Sequence, residues 1–312
     1  MTRPLVIAHR GASGYLPEHT LAAKTLAFEM GADFLEQDIV ASRDDELIVL
    51  HDVLLDRVSD VALRFPGRHR DDGRYYVRDF DLDEIRSLRA WERMRADGSA
   101  VYPGRYPAQR GDFRINTLAE ELALVQRLNA DHDRSVGVYP EVKRPAWHKQ
   151  EGIDIAPLLL GTLADFGYEE HPDLVYVQCF DDAEIRRLRN ELNCPFKLVQ
   201  LIGENSWHEA ETDYNAMRTD AGLREIADSA DAIGPHIGHL FIQGADSVPV
   251  STGLVAMAHD AGLAVHPYTF RADELPAGFS SFEDLVSFCV IELGIDGLFT
   301  DFPDRVVELR FP

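Results

Sequence analysis

Short apolar runs alternate with amphipathic stretches along most of the chain. The runs span four to seven residues, are rich in β-branched side chains, and lie at 5–9, 34–40, 136–142, 174–180, 196–202, 232–237, 264–269 and 297–300. Helical patterns follow most of them, as at 20–30, 118–129, 182–191, 252–261 and 282–292. Strands that alternate with helices are typical of a parallel sheet, and eight such units predict a closed (β/α)8 TIM barrel.

An open, doubly wound sheet is the alternative arrangement of the same elements. The Gly-x-Gly-x-x-Gly turn that often follows its first strand is missing here, because the first run continues into His9-Arg10-Gly11. We therefore predict an α/β protein with one TIM-barrel domain over residues 1–312.

Residues 52–116 interrupt the alternation of strands and helices. They follow the second predicted barrel strand and are dense in Gly, Pro, Arg and aromatic residues. Long loops are usually functional or disordered, and the aromatic content argues against disorder. A packed surface insertion is the alternative, but we predict that 52–116 is an insertion at the C-terminal face of the barrel, where it forms a wall over the site.

Composition narrows the range of partners and cofactors. The chain has 54 acidic and 31 basic residues, a formal net charge of −23, which argues against nucleic acid and against an anionic membrane surface. No run reaches the roughly 18 apolar residues of a membrane helix. Cys179, Cys194 and Cys289 lack a CxxC spacing and are interpreted as core thiols. No signal-peptide pattern is visible, which predicts a cytoplasmic protein, or a periplasmic or secreted one if a leader was removed.

Polar residues follow the first apolar run and the run at 48–50. His9-Arg10-Gly11 ends the first strand, and His51-Asp52 follows the other run. Imidazole titrates near neutral pH, and a guanidinium group can hold a phosphate through two parallel hydrogen bonds. Each histidine alone is more often a surface or structural residue, but two of them at neighbouring strand ends indicate acid–base chemistry.

Acidic residues alternate along the second and third predicted barrel strands. Glu36 and Asp38 share one face of their strand, and Glu141 and Lys143 share one face of theirs. Neighbouring carboxylates repel each other, and a hard divalent cation such as Mg²⁺ or Ca²⁺ relieves that repulsion. Solvent-exposed or arginine-paired acids are the alternative interpretation.

A charge count supports the metal interpretation. Three carboxylates around a divalent ion leave about −1, and adding Arg10 and Lys143 brings the pocket to about +1. That balance suits a phosphodiester monoanion, whose transition state accumulates negative charge.

The ordered motifs resemble the glycerophosphodiester phosphodiesterases, and most closely their bacterial periplasmic-type subgroup with a long insertion after the His-Asp motif. The resemblance covers nearly the whole chain. It rests on His9-Arg10-Gly11, Pro17-Glu18-His19-Thr20, Glu36-Gln37-Asp38, His51-Asp52, Glu141-Val142-Lys143, Val265-His266-Pro267-Tyr268 and the stretch 297–303. Many relatives have Asn where this chain has His19, although the matched subgroup also has His.

The resemblance implies a TIM barrel and a role for each motif. Glu36, Asp38 and Glu141 would hold one divalent cation, and His9 and His51 would serve as general acid and base. Arg10 and Lys143 would lie near the phosphate. The implied reaction is hydrolysis of sn-glycerol 3-phosphodiesters, such as glycerophosphocholine or glycerophosphoethanolamine, to glycerol 3-phosphate and an alcohol.

Other residues and other functions stay open at this stage. Gln178, Phe180, Tyr268 and Trp147, with His266 and His148, are candidates for the pocket, although such residues on barrel strands are more often core. A lysophospholipase D-type enzyme on the same barrel is one alternative function. A non-catalytic protein that binds phosphodiesters is the other.

Overall fold

The computed structural model describes residues 3–244 and 248–309, and in it the predicted barrel is confirmed. Eight parallel strands are hydrogen-bonded in the order β10-β7-β6-β5-β4-β2-β1-β11. Phe270, which lies shortly after β10, pairs in parallel with Thr300 of β11 and so brings the two ends of the sheet together. The strands are β1 Leu5–Ala8, β2 Phe34–Ala41, β3 Leu47–Val49, β4 Gly137–Val142, β5 Tyr176–Cys179, β6 Lys197–Ile202, β7 Ala232–Pro235, β8 Phe241–Gln243, β9 Pro249–Ser251, β10 Ala264–Val265 and β11 Gly297–Thr300.

Helices pack around the outside of the strands. They are α1 Leu21–Glu29, α2 Val61–Arg64, α3 Leu82–Ser87, α4 Leu118–His132, α5 Pro145–Gln150, α6 Ile155–Asp165, α7 Asp182–Asn190, α8 Tyr214–Met217, α9 Asp220–Ala227, α10 Leu254–Asp260, α11 Phe282–Ser287 and α12 Pro303–Val307, and a π-helix, Phe288–Leu293, continues α11. Thr117 and Glu120 form a capping box that fixes the start of α4. None of the helices in the described ranges is long and apolar enough to cross a membrane.

Two groups of side chains form the barrel core. Inside the barrel, Tyr139 stacks on Tyr176 and meets Phe299 edge-on, with ring centroids 4.9 Å apart in both pairs. Between strands and helices, a larger apolar cluster includes Cys179, Cys194 and Cys289, which are all buried and free, as predicted. His266 is buried in the barrel, where its Nδ1 lies 2.9 Å from the Tyr139 hydroxyl, so it has a structural role.

The apolar run that precedes His51 is not a barrel strand. It forms β3, which turns back after Ala41 and pairs antiparallel with the end of β2. The backbone amide of Leu50 therefore donates to the carbonyl of Asp38. The expectation that His9 and His51 lie at neighbouring strand ends is wrong in this detail, because His51 reaches the barrel mouth from a returning hairpin strand. Asp45 makes this possible by adopting φ +66° in the turn.

The stretch between β3 and α4 has a small apolar core of its own. Its side chains pack on the hairpin of β2 and β3; they include Leu55, Val58, Val77, Phe80 and Ile85, all fully buried or nearly so. Since β2 and its hairpin partner β3 precede this stretch and α4 follows it, the stretch belongs to the connection that leaves the carboxyl end of the second barrel strand. The limits 52 and 116 for an insertion stay a prediction.

Candidate active site

A cavity of about 260 Å³ opens at the carboxyl ends of the barrel strands. Nine of the eleven predicted site residues line it: His9, Arg10, Glu36, Asp38, His51, Glu141, Gln178, Phe180 and Tyr268. The other two, Lys143 and Trp147, line an adjoining cavity of about 340 Å³ that shares His51 with the first. The structure thus brings the predicted residues to one end of the barrel.

His9 follows β1 and is held from behind by a buried carboxylate. Its Nδ1 lies 2.6 Å from Oδ1 of Asp301, which directly follows β11, the neighbouring strand. An ionised carboxylate can only accept, so we assign the Nδ1 proton to His9, which leaves Nε2 available for proton transfer. Burial lowers the pKa of His9 to about 4, against the opposing effect of Asp301.

His51 makes the same kind of contact with the residue next to it. Its Nδ1 lies 2.8 Å from Oδ1 of Asp52. Burial, Arg10 and Lys143 lower the pKa of His51, while Asp52 and Asp38 oppose the shift. Both imidazoles therefore have Nδ1 committed to a carboxylate, and both line the same cavity.

Arg10 is fixed by an unusual backbone and by acidic neighbours. Its φ is +59°, and the following Gly11 has φ +85°, where an added Cβ would come within 2.7 Å of the Ala23 backbone. That close approach explains why glycine completes the motif. The guanidinium NH1 donates to Oε2 of Glu18 at 3.0 Å, and Nε lies 3.5 Å from Asp38.

Glu36 and Asp38 project from β2 into the cavity, as their alternation predicted. Nε2 of His19 lies 2.6 Å from Oδ2 of Asp38, and His19, Glu36 and Asp38 have ligand atoms within 4.8 Å of one another. Burial and the nearby Asp38 raise the pKa of Glu36 to about 8. Oδ1 of Asp38 is buried without a hydrogen-bond partner.

These observations fit a cation site. A carboxylate oxygen that is buried and unpaired is costly, and the raised carboxyl pKa values show that burial and neighbouring acids outweigh the nearby cations. One imidazole and two carboxylates are suitable ligands for a divalent ion. His19 therefore joins the predicted acids as a possible ligand.

Glu141 lies in register with Asp38 on the adjacent strand β4. Its Oε1 forms an ion pair with Nζ of Lys143, 2.9 Å away, and burial raises the pKa of Glu141 well above its usual range. Lys143 is also 4.0 Å from Asp38, and its pKa is raised because these two acids outweigh the effect of burial. Glu141 is outside the group formed by His19, Glu36 and Asp38 but lines the same cavity.

The predicted pocket residues divide between the two cavities. Nε2 of Gln178 approaches Oε1 of Glu36 at 3.3 Å, and the rings of Phe180 and Tyr268 meet edge-on at 5.8 Å on the wall of the first cavity. Trp147 stacks on Tyr76 in the second cavity. His148 is buried and accepts from the amide of Ala41, so its role is structural.

Sequence reasoning missed the groups that support the histidines and Arg10. Asp301 and Glu18 lie within motifs that carry the resemblance, but the sequence assigns no role to them or to Arg93, Arg105 and Arg271. Asp301 directly follows the last strand, and that position was the available signal. Nothing in the sequence of the arginine-rich stretch distinguishes Arg93 and Arg105 from their neighbours.

Comparisons with known proteins agree with this geometry. The sequence model described as "Glycerophosphoryl diester phosphodiesterase family" matches residues 9–305. A glycerophosphodiester phosphodiesterase of Haemophilus influenzae is 42% identical, with 97% of this chain and 89% of that protein covered. One from Treponema pallidum is 37% identical, with 97% and 91% covered.

Solved structures share the fold at lower identity. A putative glycerophosphoryl diester phosphodiesterase of Silicibacter pomeroyi superposes with a TM-score of 0.73 at 22% identity, covering 98% of this chain and 92% of that one. An Oleispira antarctica phosphodiesterase, solved in complex with the product sn-glycerol-3-phosphate, gives a TM-score of 0.62 at 20% identity, covering 98% and 96%.

Proposed function

Since this chain belongs to the glycerophosphoryl diester phosphodiesterase family and is a glycerophosphodiester phosphodiesterase, we propose that it hydrolyses sn-glycerol 3-phosphodiesters by metal-dependent acid–base catalysis. The products are glycerol 3-phosphate and an alcohol. The observation that carries the proposal is that two histidines, each with Nδ1 on a carboxylate, line one cavity with Glu36, Asp38 and Glu141. The product bound to the Oleispira antarctica enzyme supports the glycerol 3-phosphate moiety.

The proposed cation ligands are Glu36, Asp38 and Glu141, with His19 as a further candidate. The unpaired Oδ1 of Asp38 and the raised pKa values of Glu36 and Glu141 support this assignment. Oxygen ligands favour Mg²⁺ or Ca²⁺. When bound, such an ion would neutralise the non-bridging phosphate oxygens and hold glycerol hydroxyls.

His9 and His51 divide the proton transfers in this proposal. One imidazole, with Nε2 unprotonated, takes the proton of the attacking oxygen, and the other, protonated at both nitrogens, gives its Nε2 proton to the departing alkoxide. Each transfer is typically worth about 10²–10⁴ in rate. The attacking oxygen is water, or the substrate 2-hydroxyl that first forms a cyclic phosphate. The carboxylates behind both rings keep Nδ1 protonated in either route.

Arg10 and Lys143 provide fixed positive charge near the phosphate. Neither can turn away freely, because Arg10 is tied to Glu18 and Lys143 to Glu141. The acids behind the histidines have arginine partners of their own, since Asp52 pairs with Arg93, and Asp301 pairs with Arg105 and Arg271. The cations are therefore held in place before the substrate arrives, which favours electrostatic stabilisation of the transition state.

The second cavity is the proposed place for the departing alcohol. It shares His51 with the catalytic cavity and presents the stacked rings of Trp147 and Tyr76. Arg57, Arg74 and Arg144 make its wall polar, which suits small head groups better than an acyl chain.

The test is a release assay for glycerol 3-phosphate from glycerophosphocholine, with and without a chelator. We expect release that stops with chelator and returns when Mg²⁺ or Ca²⁺ is added. Activity that survives chelation would contradict the cation assignment. Lysophosphatidylcholine serves as the comparison substrate, and faster turnover of it than of glycerophosphocholine would favour the lysophospholipase D alternative.

A further inference from the structure

Each histidine–carboxylate pair is completed by an arginine from the stretch between β3 and α4. Behind His51, NH1 of Arg93 donates to Oδ2 of Asp52 at 2.5 Å. The same guanidinium donates through Nε and NH2 to both oxygens of Glu18, at 2.9 and 2.6 Å. Glu18 in turn holds Arg10. One side chain thus connects the carboxylate behind His51 with the carboxylate behind Arg10.

Arg105 has the same relation to His9. Its NH2 donates to Oδ2 of Asp301 at 2.7 Å, while the other carboxylate oxygen of Asp301 faces His9. Nε and NH2 bind Asp273, and NH1 donates to the carbonyl of Ser13 at 3.2 Å. Its guanidinium also lies 3.7 Å above the ring of Tyr102. Every polar group of this side chain therefore has a partner.

These contacts matter for stability and orientation because both arginine side chains are buried. The Arg93 side chain is 11% exposed and the Arg105 side chain 4%. Removing Arg93 would leave Glu18 with Arg10 as its remaining arginine, and removing Arg105 would leave Asp301 with Arg271 alone. Loss of a partner from a buried charge is strongly unfavourable.

Each guanidinium is itself held by a two-bonded fork, Arg93 on Glu18 and Arg105 on Asp273. From that fixed position each donates one further hydrogen bond, Arg93 to Asp52 and Arg105 to Asp301, where Arg271 is a second donor. The orientation of Asp52 and Asp301, and through them of the two rings, depends on these anchored guanidinium groups.

A third cavity, of about 140 Å³, explains why two arginines from one stretch serve both histidines. His9, His51, Arg93 and Arg105 all line it, together with Arg10. Both imidazoles therefore border a cavity that the stretch between β3 and α4 also lines. Arg78, from the same stretch, is equally buried at 10% exposure but binds Asp45 and the Ser42 carbonyl, in the turn between β2 and β3.

We propose that Arg93 and Arg105 are positioning residues: anchored by their forks on Glu18 and Asp273, they hold one oxygen of Asp52 and of Asp301, and thereby align His51 and His9. This rests on the proposed acid–base function of the two histidines. It makes the stretch between β3 and α4 a part of the apparatus that positions the catalytic groups. Arg105 acts only on the His9 side, whereas Arg93 also supports Arg10 near the phosphate.

The experiment compares Arg93→Ala and Arg105→Ala with Arg78→Ala as the matched control, using glycerophosphocholine as substrate. We expect kcat to fall about 10–100-fold in the first two variants, as is typical when a supporting partner is removed. KM should stay nearly unchanged in Arg105→Ala and rise in Arg93→Ala, since only Arg93 also holds Glu18. Arg78→Ala should keep nearly the kcat of the unmodified chain.

Guanidinium chloride at sub-denaturing concentration distinguishes positioning from general damage. The third cavity adjoins both positions, so free guanidinium should restore part of kcat in Arg93→Ala and Arg105→Ala, with no gain in Arg78→Ala. In an Asp301→Asn background, Arg105→Ala should cost less than it does alone, because both changes break one chain of contacts.

Arg93→Lys and Arg105→Lys keep the test decisive if the alanine variants do not fold. Lysine keeps the charge but loses the fork, so kcat should lie between those of the unmodified chain and a fully impaired variant. Equal kcat in the arginine variants and in Arg78→Ala, or no response to guanidinium, would overturn the proposal. Absence of diesterase activity in the unmodified chain would instead overturn the proposed function.

Discussion

In both histidine–carboxylate pairs an aspartate contacts Nδ1 of the imidazole, but the two pairs are held by different parts of the structure. His9 and Asp301 are separated by 292 positions and meet because β1 and β11 are adjacent in the barrel, where their side chains are only 9% and 2% exposed. His51 and Asp52 are consecutive residues that lie just after β3, the second strand of the hairpin, and both side chains are 27% exposed. One pair depends on the closed barrel, the other on local chain geometry.

This difference predicts how much activity is lost when the group that supports each imidazole is altered. In the buried pair, Asp301 also accepts hydrogen bonds from Arg105 and Arg271, so a change at Asp301 affects both arginines. The more exposed pair has Arg93 as its further partner, and water can replace part of what is lost there. Disturbing the barrel side should therefore reduce activity more than an equivalent disturbance of the hairpin side.

Removing either imidazole is the largest change. His9→Ala and His51→Ala should each lower kcat by about 10²–10⁴, because each removes one proton transfer. Cation binding, measured by calorimetry, should survive in both variants, since neither ring belongs to the group of His19, Glu36 and Asp38. Near-normal turnover in either variant would remove that histidine from the mechanism.

Neutralising the carboxylates tests the comparison itself. Asp301→Asn should lower kcat about 100-fold and Asp52→Asn about 10-fold, within the range typical of groups that orient a catalytic side chain. The larger loss is expected at Asp301 because the substitution also leaves Arg105 and Arg271 short of a buried negative charge. Steady-state kinetics on both variants give the ratio. Equal losses, or a larger loss at Asp52, would contradict the distinction between a buried and an exposed pair.

The sequence predicted the barrel well because each barrel strand is a local pattern. All eight predicted runs overlap an observed barrel strand, although the run at 264–269 yields only Ala264–Val265, because Pro235 of the neighbouring β7 has no amide to donate there. The hairpin of β8 and β9 was missed, and β3 was not recognised as antiparallel. Both errors concern short strands whose partners, not their composition, decide their pairing.

The site was predictable where chemistry follows a strand end or alternates along a strand. His9, Glu36, Asp38 and Glu141 satisfy that rule and lie in one cavity. Asp301 escaped notice because its importance depends on barrel closure, which places it beside a residue 292 positions away. Arg93 and Arg105 escaped because an irregular, arginine-rich stretch gives no periodicity from which to tell inward from outward side chains.

A smaller effect is expected at the cavity beside His51. Trp147→Ala should raise KM for glycerophosphocholine about 2–10-fold with little change in kcat, the size expected when one aromatic contact is lost. Phe180→Ala, on the wall of the catalytic cavity, is the matched comparison. If only Phe180→Ala raises KM, the departing alcohol does not use the cavity that contains Trp147.

The most direct measurement of the division of labour uses a glycerol 3-phosphodiester whose leaving group is p-nitrophenol. This leaving group departs without a proton, so the variant that lacks the general acid should recover most of its turnover on it. We predict that one of His9→Ala and His51→Ala recovers and the other stays inactive, with the chelator abolishing turnover throughout. Recovery of both variants, or of neither, would contradict the assignment of one histidine as acid and the other as base.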